Sequence, residues 1–230
     1  MSDTSLAKII QYGTSTDRIA FTPDPASGSQ VLYLWYETDN PPDTYAWDGS
    51  AWVQIGGGGG SGGLTQIAQH ITSSSTTIDF SGISGSFSAL LLTFTAQASS
   101  GSTGAENFRC KVNNDGTSGN YSTAVVSGSN NGSAFLGNQA ASGDGGWIGI
   151  IPDSGNTGIP ASGYLFIIGY AATTLHKMIQ TVCGAEQGAG PFTSSSSFRW
   201  KNTAAITQLT VRPEGVSFAD GGIFTLYGLQ

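Results

Sequence analysis

Leu90-Leu91-Leu92-Thr93-Phe94-Thr95-Ala96-Gln97-Ala98 alternates with a period of two: Leu90, Leu92, Phe94, Ala96 and Ala98 share one side, and Leu91, Thr93, Thr95 and Gln97 the other. Successive side chains of an extended strand point to opposite faces, so this pattern is that of a β-strand with one buried face. The alternation returns in Phe108, Cys110 and Val112, set between Arg109 and Lys111. Residues 164–170 are apolar on both faces, which predicts a central strand covered by two layers. Residues 147–151, 178–182, 198–200, 207–211 and 223–229 complete the set. Asn113-Asn114-Asp115-Gly116 reads as a tight turn; it lacks the alternating acidic ligands and distal Glu of a calcium loop. Many short strands joined by Gly-rich turns predict an all-β fold, with a jelly-roll-like antiparallel sandwich over residues 64–230. Residues 127–146, polar and Gly-rich, predict a long surface loop. Only residues 6–12 and 173–177 offer a helical turn.

Working towards the N-terminus, Gly56-Gly57-Gly58-Gly59-Gly60-Ser61-Gly62-Gly63 interrupts the strand pattern. Ordering so many glycines is entropically expensive, so a linker is expected at residues 56–63, either a natural hinge or an added spacer. As a flexible coil its eight residues would span roughly 16 Å, at about 5–6 Å times the root of the length. Residues 1–55 form a separate acidic segment, with seven carboxylates against Lys8 and Arg18. Residues 31–36 read as a strand, Asn40-Pro41-Pro42-Asp43 as a turn, and Asp48-Gly49 as a hairpin turn between residues 45–47 and 51–55. The result is a small antiparallel sheet, a hairpin module carrying Trp35, Trp47 and Trp52. Domains below about 60 residues are marginal alone, so its aromatic excess predicts packing on another chain. Trp35, Tyr36, Tyr45, Trp47 and Trp52 are the candidate docking or oligomer-interface residues.

Composition narrows the function. Only 10% of the 230 residues are charged, against roughly 25% in an average globular protein. Hydroxyls, amides and bare backbone must therefore cover the surface, which suits a protein working outside cells. A net charge of −7 and the lack of any Lys/Arg run exclude a nucleic-acid partner, which needs a basic footprint. No segment has the apolar length of a membrane span, and residues 1–12 lack the basic and apolar regions of a secretory signal. Synthesis in a host cytoplasm followed by release is the expectation. Cys110 and Cys183 are too few for a disulfide scaffold and read as buried thiols.

Catalytic signatures are sparse. His70 and His176 sit in no metal-ligand spacing, and no G-x-S-x-G elbow occurs. Glu106, Asp115, Asp144, Asp153 and Glu186 are scattered, with no spacing that marks the paired carboxylates of a glycosidase. The expectation is a protein with no enzymatic activity, no cofactor and no metal. Glycan binding needs an aromatic platform with amides and hydroxyls. Asn120, Tyr121, Asn131 and Trp147 are the candidates for it, although Trp147 also reads as the start of a core strand.

Two stretches carry a resemblance. Leu32-Tyr33 and the run Tyr45-Ala46-Trp47-Asp48-Gly49-Ser50-Ala51-Trp52-Val53 resemble a short module of phage tail and fibre proteins, in which a Tyr-rich strand leads into a W-D-G-x-x-W hairpin. Residues 78–230 are similar to a β-sandwich domain of phage structural proteins. The carrying residues are Ile83-Ser84-Gly85-Ser86-Phe87, Val112-Asn113-Asn114-Asp115, Asn120-Tyr121-Ser122, Asn202-Thr203-Ala204-Ala205-Ile206-Thr207 and Phe224-Thr225-Leu226-Tyr227-Gly228-Leu229. The resemblance implies a fibre or spike subunit on a virion surface, tail or head, with other virion proteins as partners and a role in host adsorption. It also implies a homotrimer or other homo-oligomer, and no catalytic residues. The alternative is a carbohydrate-binding module that recognises a host surface glycan without catalysis.

Overall fold

The structure, a computed structural model, describes residues 7–14, 16–17, 31–37, 43–47, 52–57, 63–129, 134–139, 145–156, 158–187 and 190–230. The chain divides into two compact units, Met1–Gly63 and Leu64–Gln230.

The first unit is a four-stranded sheet of β1 (Ala7–Gly13), β2 (Val31–Glu37), β3 (Asp43–Trp47) and β4 (Trp52–Gly57), in that order. It is mixed rather than antiparallel, because β1 runs parallel to β2, from Ala7 opposite Val31 to Gly13 opposite Glu37. Where a helical turn was expected over residues 6–12, the chain from Ala7 on is a strand; Ile9, Ile10 and Tyr12 have the β-branched and aromatic character that a sheet favours over a short helix. Gly56 and Gly57 also depart from expectation, since they extend β4 opposite Thr44 and Asp43. Residues 58–62 lie outside the described residues.

The second unit is a sandwich, and all its strand pairs are antiparallel. In chain order its strands are β5 (Leu64–Ile71), β6 (Ile78–Ser81), β7 (Ala89–Ala96), β8 (Ala105–Val112), β9 (Tyr121–Ser129) and β10 (Ala134–Gln139). They continue with β11 (Gly146–Pro152), β12 (Ala161–Ile168), β13 (Lys177–Gln187), β14 (Gly190–Trp200), β15 (Gln208–Pro213) and β16 (Ile223–Leu229). One sheet has the order β10-β9-β14-β13-β12-β7-β16-β5, the other β11-β8-β15-β6.

The pairing is nested. β5 pairs with β16, β6 with β15, β7 with β12 and β8 with β11, and successive pairs fall alternately in the large and the small sheet. A long hairpin folded over into two layers has this connectivity, which is the jelly roll that the strand pattern predicted. The remaining strands, β9–β10 and β13–β14, are insertions that widen the large sheet on one side. Residues 127–146 are thus not one loop: β9 continues to Ser129 and β10 follows. Nor is residues 173–177 helical, as Lys177 opens β13.

Between the sheets, Leu90, Leu92, Phe94, Phe108, Cys110, Leu165, Ile167, Leu209, Val211, Phe218, Phe224 and Leu226 are buried together. Phe94 and Phe108 meet edge-to-face at 5.0 Å, as do Phe218 and Phe224. Such pairs add about 0.5–1.5 kcal/mol each beyond the area they bury. The stretch at residues 164–170 is covered on one side only: Leu165 and Ile167 are buried, while Tyr164 and Ile168 are exposed. The large sheet has a solvent face there instead of a second layer.

The edge strand β11 is packed on β13 and β14 of the opposite sheet. Its backbone is met by side chains: Trp147 N donates to Thr123 Oγ1 (3.2 Å), Thr181 Oγ1 donates to Ile148 O (3.0 Å), and Ser196 Oγ donates to Trp147 O (3.3 Å). Buried backbone groups left unpaired would each cost about 1–3 kcal/mol. The hydroxyls of β9, β13 and β14 thereby cap an edge that no strand pairs. Close approach requires glycine: a Cβ at Gly146 would lie 2.1 Å from the Phe198 ring, and one at Gly149 2.5 Å from Cys183 Cβ.

Candidate functional site

The motif residues turn out to be joints. The turn after β8 puts Asn113 and Asn114 at positive φ (48° and 54°). Asn113 Oδ1 accepts from Thr207 N (2.9 Å) and Gln208 N (3.0 Å), while its Nδ2 donates to Ala205 O (2.7 Å). Asp115 accepts from Thr117 N, Asn120 Nδ2 and Trp200 Nε1 at 2.8–2.9 Å. Desolvation acts to raise the Asp115 carboxyl, but these hydrogen bonds outweigh it and hold it down at about 2. Asn120 is thus committed to Asp115.

Two of the expected glycan contacts belong to the core instead. Tyr121 is 2% exposed; its hydroxyl accepts from Val112 N (3.0 Å) and lies 3.0 Å from Asp115 O, to which it donates. Trp147 is also 2% exposed, and its Nε1 donates to Asn107 Oδ1 (3.0 Å). Both rings occupy inward positions, where a large apolar area gains more from burial than a surface platform could. Neither ring is exposed as a platform. Asn131 lies outside the described residues.

In the first unit, Trp35 is buried and packs edge-on against Trp52, with ring centroids 6.1 Å apart. Its ring also covers Gly13, where a Cβ would come within 2.7 Å. Trp35 is therefore core, contrary to the docking expectation. Tyr45 and Trp52 are partly exposed. Tyr36 and Trp47 occupy strand positions, Trp47 opposite Trp52, and their side chains lie outside the described residues.

Buried polar groups elsewhere serve the fold. Lys177, 2% exposed, donates from Nζ to Ala172 O (2.6 Å), Leu175 O (2.9 Å) and Thr203 O (3.1 Å). Arg109 pairs with Glu214 (3.3 Å), and Glu214 also accepts from Asn107 Nδ2. Desolvation, with the neighbouring Asp153 and Glu214 charges, raises the Glu106 carboxyl. Burial pushes the Cys110 thiol up to about 12. Burial also pushes Cys183 up to about 11, and its Sγ donates to Ile150 O. Thiols so disfavoured as thiolates are poor nucleophiles. Among the described residues no group of three His, Cys, Asp or Glu is placed to hold a metal ion, and no helix is long and apolar enough to cross a membrane.

A concave feature lies on the solvent face of the widened sheet. Ser122 and Ala124 of β9, Asn138 of β10, Met178 of β13, and Ser197 and Arg199 of β14 line a shallow groove of about 460 Å³, bounded also by Tyr121 and Thr123. Register explains the shape. Asn138, Ala124 and Ser197 are direct neighbours across three strands, as are Ser122, Arg199 and Met178. Small side chains at Ser122, Ala124 and Ser197 make the floor, and the longer Asn138, Arg199 and Met178 rise around it. Larger apolar side chains border the same face, among them Tyr164, Ile168, Val126 and Leu136. Apart from Tyr121 and Ser122, the groove residues carry no motif in the sequence, because the groove draws alternate positions from four strands. The faint signal was the small-residue alternation at Ser122 and Ala124, and at Ser195, Ser197 and Arg199.

Neither a family model nor any curated protein or solved structure matches this chain at a significant level.

Proposed function

We propose that the chain is a structural subunit of a bacteriophage particle, a fibre or spike protein displayed on the virion surface and engaged in host adsorption without catalysis. The observation that carries the reading is the division of labour in the chain: a small Trp-bearing sheet and a jelly-roll sandwich form separate units around a Gly-rich run. One unit is suited to docking on other virion proteins, the other to display. The sparse charge and the phage-like motifs support the same reading, and self-association as a trimer or other homo-oligomer accompanies it.

The test is incorporation. Trp47→Ala with Trp52→Ala should remove the protein from purified particles while the sandwich unit keeps its thermal transition. Normal incorporation of the folded double variant would sink the docking role. Light scattering should give a stable multiple of the 23.6 kDa chain; a strict monomer at all concentrations would favour the second reading, a glycan-binding module. The groove on the widened sheet is the observation that favours that module.

A further inference from the structure

We infer that the groove across β9, β10, β13 and β14 binds a carboxylate-bearing saccharide of the uronic-acid class, with Arg199 as the carboxylate partner. The inference rests on the adsorption part of the reading above and adds the chemical class of the ligand.

Arg199 is exposed, and no hydrogen bond or ion pair ties it to a described residue. Arg109, by contrast, is committed to Glu214, and Lys177 to three carbonyls. In a chain of net charge −7, an uncommitted guanidinium beside a concavity is a local attraction for an anion. The nearest cross-strand neighbours of Arg199 are neutral, Ser122 on one side and Met178 on the other. Among the described residues no carboxylate lines the groove to compete for it.

The anion should carry a single charge at the contact. A guanidinium offers a planar fork that matches a carboxylate with two parallel hydrogen bonds. A polyanionic phosphate or sulfate chain would need several cations, and the groove has one among the described residues, set in an acidic protein. The rest of the lining fits a sugar. Asn138 supplies an amide donor and acceptor, Ser122 and Ser197 supply hydroxyls, and Met178 supplies a polarizable apolar wall for a ring face. The volume of about 460 Å³ falls in the range of small-ligand sites, about 300–1,000 Å³. The floor of small side chains lets a ring lie flat on the sheet.

The probe is trigalacturonate, titrated by calorimetry into the full-length protein, with its methyl ester and inorganic phosphate as comparators. The expected result is saturable binding of the acid, at least tenfold weaker binding of the neutral ester, and no comparable binding of phosphate. Arg199→Met should weaken the acid at least tenfold, Arg199→Lys less, and Asn138→Ala about threefold. Both positions are on the solvent face, so unchanged thermal melting should accompany all three variants. Equal binding of acid and ester, or full binding by Arg199→Met, would overturn the assignment. Phosphate binding as tightly as the trisaccharide would also overturn it, leaving a bare anion site. Absence of trigalacturonate binding would refute it while particle incorporation of the same protein stayed normal, which separates this failure from that of the virion reading.

Discussion

Replacing Lys177 by Met tests whether the loops at one end of the sandwich are held by a buried cation. Lys177 is 2% exposed, and its ammonium has no carboxylate partner among its hydrogen bonds; the carbonyls of Ala172, Leu175 and Thr203 solvate it. Those carbonyls belong to the connections before β13 and after β14, so one side chain ties together segments that share no ladder. Met has a similar length and packs without strain, so the substitution isolates the polar role. Hydrogen bonds to a charged group contribute about 1.5–3 kcal/mol each, and partial rehydration of carbonyls in exposed loops returns some of that loss. Relief of the ammonium's desolvation returns more. A net destabilisation of about 3 kcal/mol follows, roughly one per bond. For a unit of this size, a transition shifts by about 2–4 °C per kcal/mol, so the melting temperature should fall by about 6–12 °C. Thermal unfolding followed by near-ultraviolet circular dichroism measures the shift. Hydrogen exchange localises it, with amides of residues 171–176 and 201–206 losing protection first. A shift below about 2 °C, or exchange unchanged in both segments, would refute the claim that the cation organises them.

Two further outcomes follow from titratable groups. The Asp115 carboxyl sits at about 2 in the folded chain, below its ordinary value of 3.8. Its stabilising contribution is therefore complete above about pH 4 and is lost as pH falls towards 2. Asp115→Asn should flatten the acid limb of the stability profile over that window; an unchanged profile would show that the three hydrogen bonds do not favour the charged form. The Cys110 and Cys183 thiols, raised to about 12 and about 11, should not react with an aromatic disulfide reagent at pH 8 in the folded protein, and both should react after denaturation. Rapid reaction of either in the native state would contradict their burial.

The strand content was legible because alternation is a local signal. Residues 90–98 reveal both a strand and its inward face, and the structure buries Leu90, Leu92, Phe94, Ala96 and Ala98 as that pattern requires. Pairing was less legible. Leu64 of β5 lies opposite Leu229 of β16, across nearly the whole second unit, and nothing local encodes such a partner. Apolar density at residues 164–168 misled because it resembles a doubly covered strand, whereas Tyr164 and Ile168 belong to an open face. Tyr121 and Trp147 misled for the converse reason. Aromatic residues near polar turns look like ligand platforms, and only the register shows that they point inward. Residues 127–146 looked like loop because Gly, Ser and Asn dominate them, yet β10 needs little intrinsic propensity once β9 offers a template.

The two insertions explain why a common architecture acquires a usable face here. The eight nested strands alone give two four-stranded sheets, each with one side buried against the other. Adding β9–β10 and β13–β14 to one sheet only leaves their inward side without a matching strand from β6, β8 or β15. β11 fills part of that gap, and its approach dictates the glycines at 146 and 149 and the hydroxyls at 123, 181 and 196. With the inner side so occupied, the outer side of the same strands is free of packing demands. Small and polar residues can stand there without loss of core. The groove follows from that freedom: Ser122, Ala124 and Ser197 are tolerated as a floor because Val125, Ser196 and Phe198 on the opposite side of the same strands do the packing. Changing the groove should therefore alter recognition with little effect on stability, whereas the same changes one residue along either strand should unfold the unit.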